Sequence, residues 1–236
     1  MKNIANEIHI DSLPQEIRDD LKTQLSELTK KTGITIHKLT GEKKGRYGSV
    51  AYDVYKKRGV LAISEDATKG NTLLKSSIDS EKNYQTWLEN NTDAEETQKQ
   101  TVYNNLKKYT HFSYPGNGSR NATIDHEFYH YLEAERACNN INLKHEEFGK
   151  DDKEFLYRRK VFRDLDDKCQ TFCNERNFSY YGGYSGGIGE SSAETYSYWK
   201  SGNTIPKPIE ELFIKMEDND PTLYTHYLFS SSEVGC

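Results

Sequence analysis

The chain has 236 residues, enough to bury a core that holds a site rigidly, and although only 34% are hydrophobic, seventeen tyrosines and nine phenylalanines add apolar area that the aliphatic count understates. A net charge of −5 argues against a general nucleic-acid or anionic-membrane surface, which needs clustered Lys and Arg. No segment approaches the roughly 18 consecutive apolar residues of a membrane span, and the first twenty residues lack the apolar run of a secretory signal, so the expectation is a folded chain that is cytoplasmic as synthesised.

In chain order, "SLPQEIRDDLKTQLSELTKKTG" places Ser12 as cap and Pro14 in the first turn. Leu13, Ile17, Leu21, Leu25 and Leu28 then fall on one face and Gly33 acts as stop, which predicts an amphipathic helix. "ITIHKLTG" alternates Ile34 and Ile36 against Thr35 and His37 and predicts a strand, with His37 on the surface. "GSVAYDVYKKRGVLAISE" predicts two further strands around a turn at "KKRG". Residues 80–110 are polar with sparse aromatic anchors, as expected of one or two surface helices, and "SYPGNGS" breaks the chain after them.

Beyond that break, "KDDKEFLYRRKVFRDLDDKCQTFCNER" predicts a long charged helix with Phe155, Phe162, Leu165, Cys169 and Cys173 inward. A glycine-rich loop, "SYYGGYSGGIGE", leads into a helix at "ESSAETYSYWK", and the tail adds one or two more. No repeat or linker divides the chain. One domain over 1–236 is expected, with helix plus sheet at 1–75, a helical insert at 80–110 and a helical half at 117–236.

Four cysteines, Cys138, Cys169, Cys173 and Cys236, are too few and scattered for a disulfide framework. Cys169 and Cys173 lie one helical turn apart, but no second pair completes a four-sulfur site, and they read as buried thiols. Glycosylation acceptor patterns at Asn117 and Asn121 run into the next predicted helix, which weighs against a eukaryotic secretory route.

That helix, "ATIDHEFYHYLEAE", carries the chemistry. His126 and His130 are four apart, so both imidazoles point the same way and can converge on one ion, while Glu127 sits a further 100° round and can reach water activated there without being a ligand. Ile124, Phe128, Tyr131 and Leu132 form an apolar stripe roughly opposite, so one face is expected to pack on a sheet and the other to line a cleft. Chance alone gives such a pentad in roughly 2% of sequences of this composition, so companion residues must carry the assignment.

A catalytic zinc needs a third protein ligand and an open position. Glu190 opens the helix after the glycine-rich loop, and Glu194, one turn on, is placed to accept a hydrogen bond from the outer nitrogen of a ligand histidine. His145 is the competing third ligand, in a polar loop; His9, His37, His111 and His226 have no partner pattern. Tyr184, six residues before Glu190, is a candidate donor to an oxyanion, with Tyr180 and Tyr181 as rivals.

"HEFYH", Tyr184 and "ESSAE" resemble the catalytic domain of anthrax lethal factor and its relatives, the gluzincin-type zinc peptidases that include clostridial Pro-Pro endopeptidases. They are also similar to zincin-like domains found beside phage minor head proteins and in bacterial toxins. The resemblance covers about residues 120–200 and implies His126, His130 and Glu190 as ligands of one zinc ion. It further implies Glu127 as general base, Tyr184 as transition-state donor and Glu194 behind a ligand. "GVLAIS" would match the edge strand along which such enzymes align an extended substrate. Relatives commonly have a small residue where this chain has Tyr129, whose ring must find space.

The expectation is therefore a single α+β, zincin-like domain whose small, twisted, mostly antiparallel sheet packs on the H-E-x-x-H helix. It would act as a zinc endopeptidase on a protein or peptide substrate. The alternative is a zincin-like binding or assembly module, in a phage particle or an interbacterial system, for which a base beside the open metal position has no use.

Overall fold

The computed structural model describes residues 4–42, 48–53, 56–65, 82–107, 120–140, 153–176 and 188–224. Strands β1 (Ala5–His9), β2 (Ile36–Glu42), β3 (Gly48–Asp53) and β4 (Arg58–Ser64) form one sheet in the order β1-β2-β4-β3. Helix α1 (Gln15–Thr32) buries Ile17, Leu21, Leu25 and Leu28, the predicted stripe. It stops at Gly33, whose φ of 71° is left-handed backbone that a residue without Cβ adopts freely. Its start differs from expectation: Pro14 is the cap position and no side chain caps the helix. The Ser12 hydroxyl instead donates to the Gly41 carbonyl at 3.3 Å, tying the turn before α1 to β2.

The expected mostly antiparallel sheet is not what forms. β1 pairs with β2 and β2 with β4 in parallel; only β3 and β4 are antiparallel. The physical reason is connectivity. β1 buries only Ala5 and exposes its other four residues, so it carries no alternation from which a strand can be read. With β1 in place, α1 becomes a crossover helix, the connection that parallel neighbours need. β4 then returns from β3 through a turn in which Lys57 has a φ of 48° and the Asp53 carboxylate accepts from the Lys56 N–H, and it slots in between β2 and β3. "GVLAIS" is consequently an internal strand and not an edge: among the described strands the edges are β1 and β3.

Helix α2 (82–90) and helix α3 (Glu96–Lys107) make up the described part of the predicted insert. Their aromatic anchors meet each other, with Tyr84 against Tyr103 at 5.0 Å and Trp87 at 6.5 Å between ring centroids, and none of them joins the buried core. Helices α4 (Arg120–Asn140), α5 (Lys153–Arg176), α6 (Ile188–Lys200) and α7 (Lys207–Glu217) follow, then a 3-10 turn at Pro221–Tyr224. Asn121 falls in the first turn of α4, as its sequence position implied. Phe162, Leu165, Cys169 and Cys173 of α5 are buried as predicted, whereas the side chain of Phe155 lies outside the described residues. No described helix is long and apolar enough to cross a membrane.

One apolar core runs from the sheet and α1 through α4 to α5, α6 and α7. Ile124, Phe128, Tyr131 and Leu132 are buried, but so are Asp125, Tyr129, Glu133, Ala134 and Ala137, so α4 is wrapped on nearly every side and does not present one broad face to a cleft. It can be central because its polar side chains find internal partners. Arg136 donates to the carbonyls of Thr32, Met216 and Glu217 at 2.6–2.9 Å, satisfying the otherwise orphaned ends of α1 and α7. The Glu217 carboxylate accepts from the Tyr196 hydroxyl at 2.8 Å and pairs with Lys200 at 2.6 Å and Lys31 at 3.3 Å, the company a buried charge needs. Tyr129 is fully buried, its ring 5.3 Å from Tyr196 and 5.7 Å from Phe213; the space a large side chain requires there lies between α6 and α7.

Candidate metal centre

Two helices supply the centre. α6 opens on Ser191, Ser192 and Ala193, small residues that are fully buried, so its neighbours can approach closely. The Ser197 hydroxyl donates to the Ala122 carbonyl at 2.9 Å, fixing the register at one end. Ser192 donates to Asp166 of α5, and the Cys173 thiol lies 3.7 Å from the Ser191 carbonyl, so α6 is also held from behind. Ala122 meets Ser197 whereas His130 meets Glu190, so the two helices run in opposite directions and the start of α6 faces the middle of α4.

There the Nε2 atoms of His126 and His130 stand 3.2 Å apart, and Glu190 Oε2 lies 3.0 Å from the first and 3.4 Å from the second. A tetrahedral ion held at the usual zinc distances of about 2.0–2.1 Å would set its donors about 3.3–3.4 Å apart. The three donor atoms thus already outline one face of such a coordination sphere, and they lie close enough to bind a metal ion. The side chains are 12%, 13% and 23% exposed for His126, His130 and Glu190, so the triangle is largely dry yet open on one side.

His126 Nδ1 is 3.1 Å from Glu194 Oε1, and that carboxylate is buried. With the Nδ1 proton donated to Glu194, Nε2 is the ring nitrogen that faces Glu190 and that an ion would bind in place of a proton. Burial by itself would lower the His126 pKa, but hydrogen bonds to Glu190 and Glu194 outweigh it and hold the ring well above its ordinary value. Burial would likewise raise Glu190, yet the charges of His130 and His126 and their hydrogen bonds hold its carboxyl well below the usual range. A carboxylate kept ionised beside two imidazoles suits a cation. Glu194→Gln, which keeps the shape and removes the charge, is expected to weaken zinc binding by about tenfold or more without unfolding the chain, as read by chelator competition.

Glu127, on the same helix, lies close enough to His126, His130 and Glu190 for their charges to act on its carboxyl, is 9% exposed, and makes no hydrogen bond to any described residue. Burial holds its carboxyl above the ordinary value, with His126 and His130 pulling the other way. Its near neighbour is the backbone of β3 at Gly48. Four residues on, Tyr52 donates to Glu135 and packs edge-on against Tyr131 at 5.6 Å, so β3 runs alongside α4 in the same direction. The edge strand nearest the donor triangle is therefore β3, which the pattern of residues did not single out. A glycine opening a strand was its only signal.

Tyr184, Tyr180 and Tyr181 lie outside the described residues, as do His145, His111 and His226. His9 and His37 sit in the sheet away from the triangle, the His37 N–H donating to the Tyr131 hydroxyl at 2.8 Å. Cys138, Cys169 and Cys173 are buried thiols, not joined in disulfides. Comparison of the chain with protein-family models, with curated proteins and with solved structures returned no match.

Proposed function

We propose that the chain is a zinc-dependent endopeptidase of the gluzincin type, hydrolysing peptide bonds of a protein substrate. The observation that carries this reading is a donor triangle of His126, His130 and Glu190 with, on the same helix, a buried carboxylate, Glu127, that makes no hydrogen bond to a described residue. A structural metal site closes its coordination with four protein ligands, and a pure binding module needs no base beside the open corner. The described residues supply three donors and an adjacent base, the composition of a hydrolytic site.

His126, His130 and Glu190 would hold the ion, and zinc supplies Lewis acidity that acidifies water and polarises a carbonyl. Glu194 keeps His126 in the tautomer whose Nε2 is free to bind. Glu127, made more basic by burial, accepts the proton of the attacking water on a carboxylate oxygen and returns it to the departing amine nitrogen. The edge of β3 beside Glu127, unpaired with any described strand on that side, offers backbone groups to an extended peptide, which would pair with it as an added strand.

The test is direct. The metal-free chain is incubated with a denatured protein or a peptide library, with and without one equivalent of zinc. Cleavage that appears with zinc and disappears with chelator supports the reading, whereas tight zinc binding with no cleavage of any substrate favours the assembly module.

A further inference from the structure

Gly48 stands where β3 touches α4. A Cβ placed on it would lie 2.8 Å from Glu127 Cδ and 2.9 Å from Oε1, and closer still to Cγ, all inside the distance that real Cβ atoms keep. The glycine is not required by the backbone, because the described glycines with left-handed φ are Gly33 and Gly202. What position 48 requires is space, and the group that fills it is the side chain of Glu127.

No hydrogen bond to a described residue fixes Glu127, so its carboxylate is placed by the walls around it. α4 supplies one wall and the β3 backbone the other. We propose that Gly48 is the positioning residue for Glu127: its missing side chain lets the edge strand close on the carboxylate and hold it in the one rotamer that faces the donor triangle. The inference rests on the proposed role of Glu127 as base.

Gly59 provides a matched control. Its Cβ would meet Tyr52 Cδ2 at 2.5 Å and Tyr131 Cε2 at 2.8 Å, in the same sheet–helix seam but away from the site. In Gly48→Ala the flexible Glu127 chain gives way, and a base moved by about 1 Å lowers kcat about 100-fold while KM changes little. Zinc affinity stays as in wild type because none of the three donors is touched. In Gly59→Ala two packed rings must shift; stability falls, and the folded protein keeps its kcat.

The experiment determines crystal structures of both variants with zinc and measures kcat, KM and zinc affinity for each, with Gly48→Ala repeated in a Glu127→Ala background. The expected results are a displaced Glu127 carboxylate in Gly48→Ala only, and no further loss of rate on adding Gly48→Ala to Glu127→Ala, since the two act through one group. An undisturbed Glu127 in Gly48→Ala, or equal losses of kcat from Gly48→Ala and Gly59→Ala, overturns the proposal. Should Gly48→Ala fail to fold, the double variant decides: it folds if Glu127 is the obstacle, and its failure to fold overturns the proposal. Should the wild type cleave nothing, the endopeptidase reading falls while the carboxylate position still decides the positioning.

Discussion

Glu127→Ala is expected to leave zinc bound with wild-type affinity and to lower peptide hydrolysis about 10²- to 10⁴-fold, the range that a positioned general base contributes. Affinity should hold because the three donors are on His126, His130 and Glu190, and Glu127 makes no hydrogen bond to any of them. The rate should fall because the two carboxylates that touch His126 are engaged: Glu190 is held ionised by the imidazoles and Glu194 is occupied by His126 Nδ1. Steady-state kinetics with metal analysis on the same preparation checks both halves. Loss of metal together with rate would mean that Glu127 supports the fold of the centre, and an unchanged rate would remove it from the chemistry.

The second large effect concerns the metal itself. Zinc added to the metal-free chain at about 100 times its dissociation constant is expected to stabilise the fold by about 2.7 kcal/mol, because the ion binds the folded state and not the unfolded chain. For a domain of this size that is a rise in Tm of roughly 5–10 °C. Glu190→Ala should abolish the rise. It removes the only contribution of α6 to the triangle, leaves two imidazoles on one helix, and weakens binding by well over the 10–100-fold that an outer hydrogen-bond partner is worth. Scanning calorimetry with and without zinc reads the effect; an undiminished rise in Glu190→Ala would show that another group completes the coordination.

The donor triangle and Glu127 were legible in the chain because the relations within each helix are local. His126, Glu127 and His130 are ordered by the helical period alone, and a helix over them followed from Ile124, Phe128, Tyr131 and Leu132. Glu190 and Glu194 could be paired with them because the same period puts the two glutamates on one face of their own helix, whose start is marked by the glycine-rich loop. The leucine stripe of α1 and its stop at Gly33 were readable for the same reason. Periodicity repeats every few residues, so a short window contains all of it.

What the tertiary structure alone decided are the relations that have no period. The strand direction turned on β1, whose side chains carry no pattern, and on β4 inserting between neighbours that are distant in sequence. The burial of α4 on nearly all sides depends on Arg136 reaching the ends of two other helices, and the room for Tyr129 on where Tyr196 of α6 and Phe213 of α7 lie. The approach of Gly48 to Glu127 joins residues 79 positions apart through a backbone contact in which one partner has no side chain to announce it. The order of residues along a helix sets which groups share a face. Only packing sets which backbone comes close enough to that face to hold a carboxylate still.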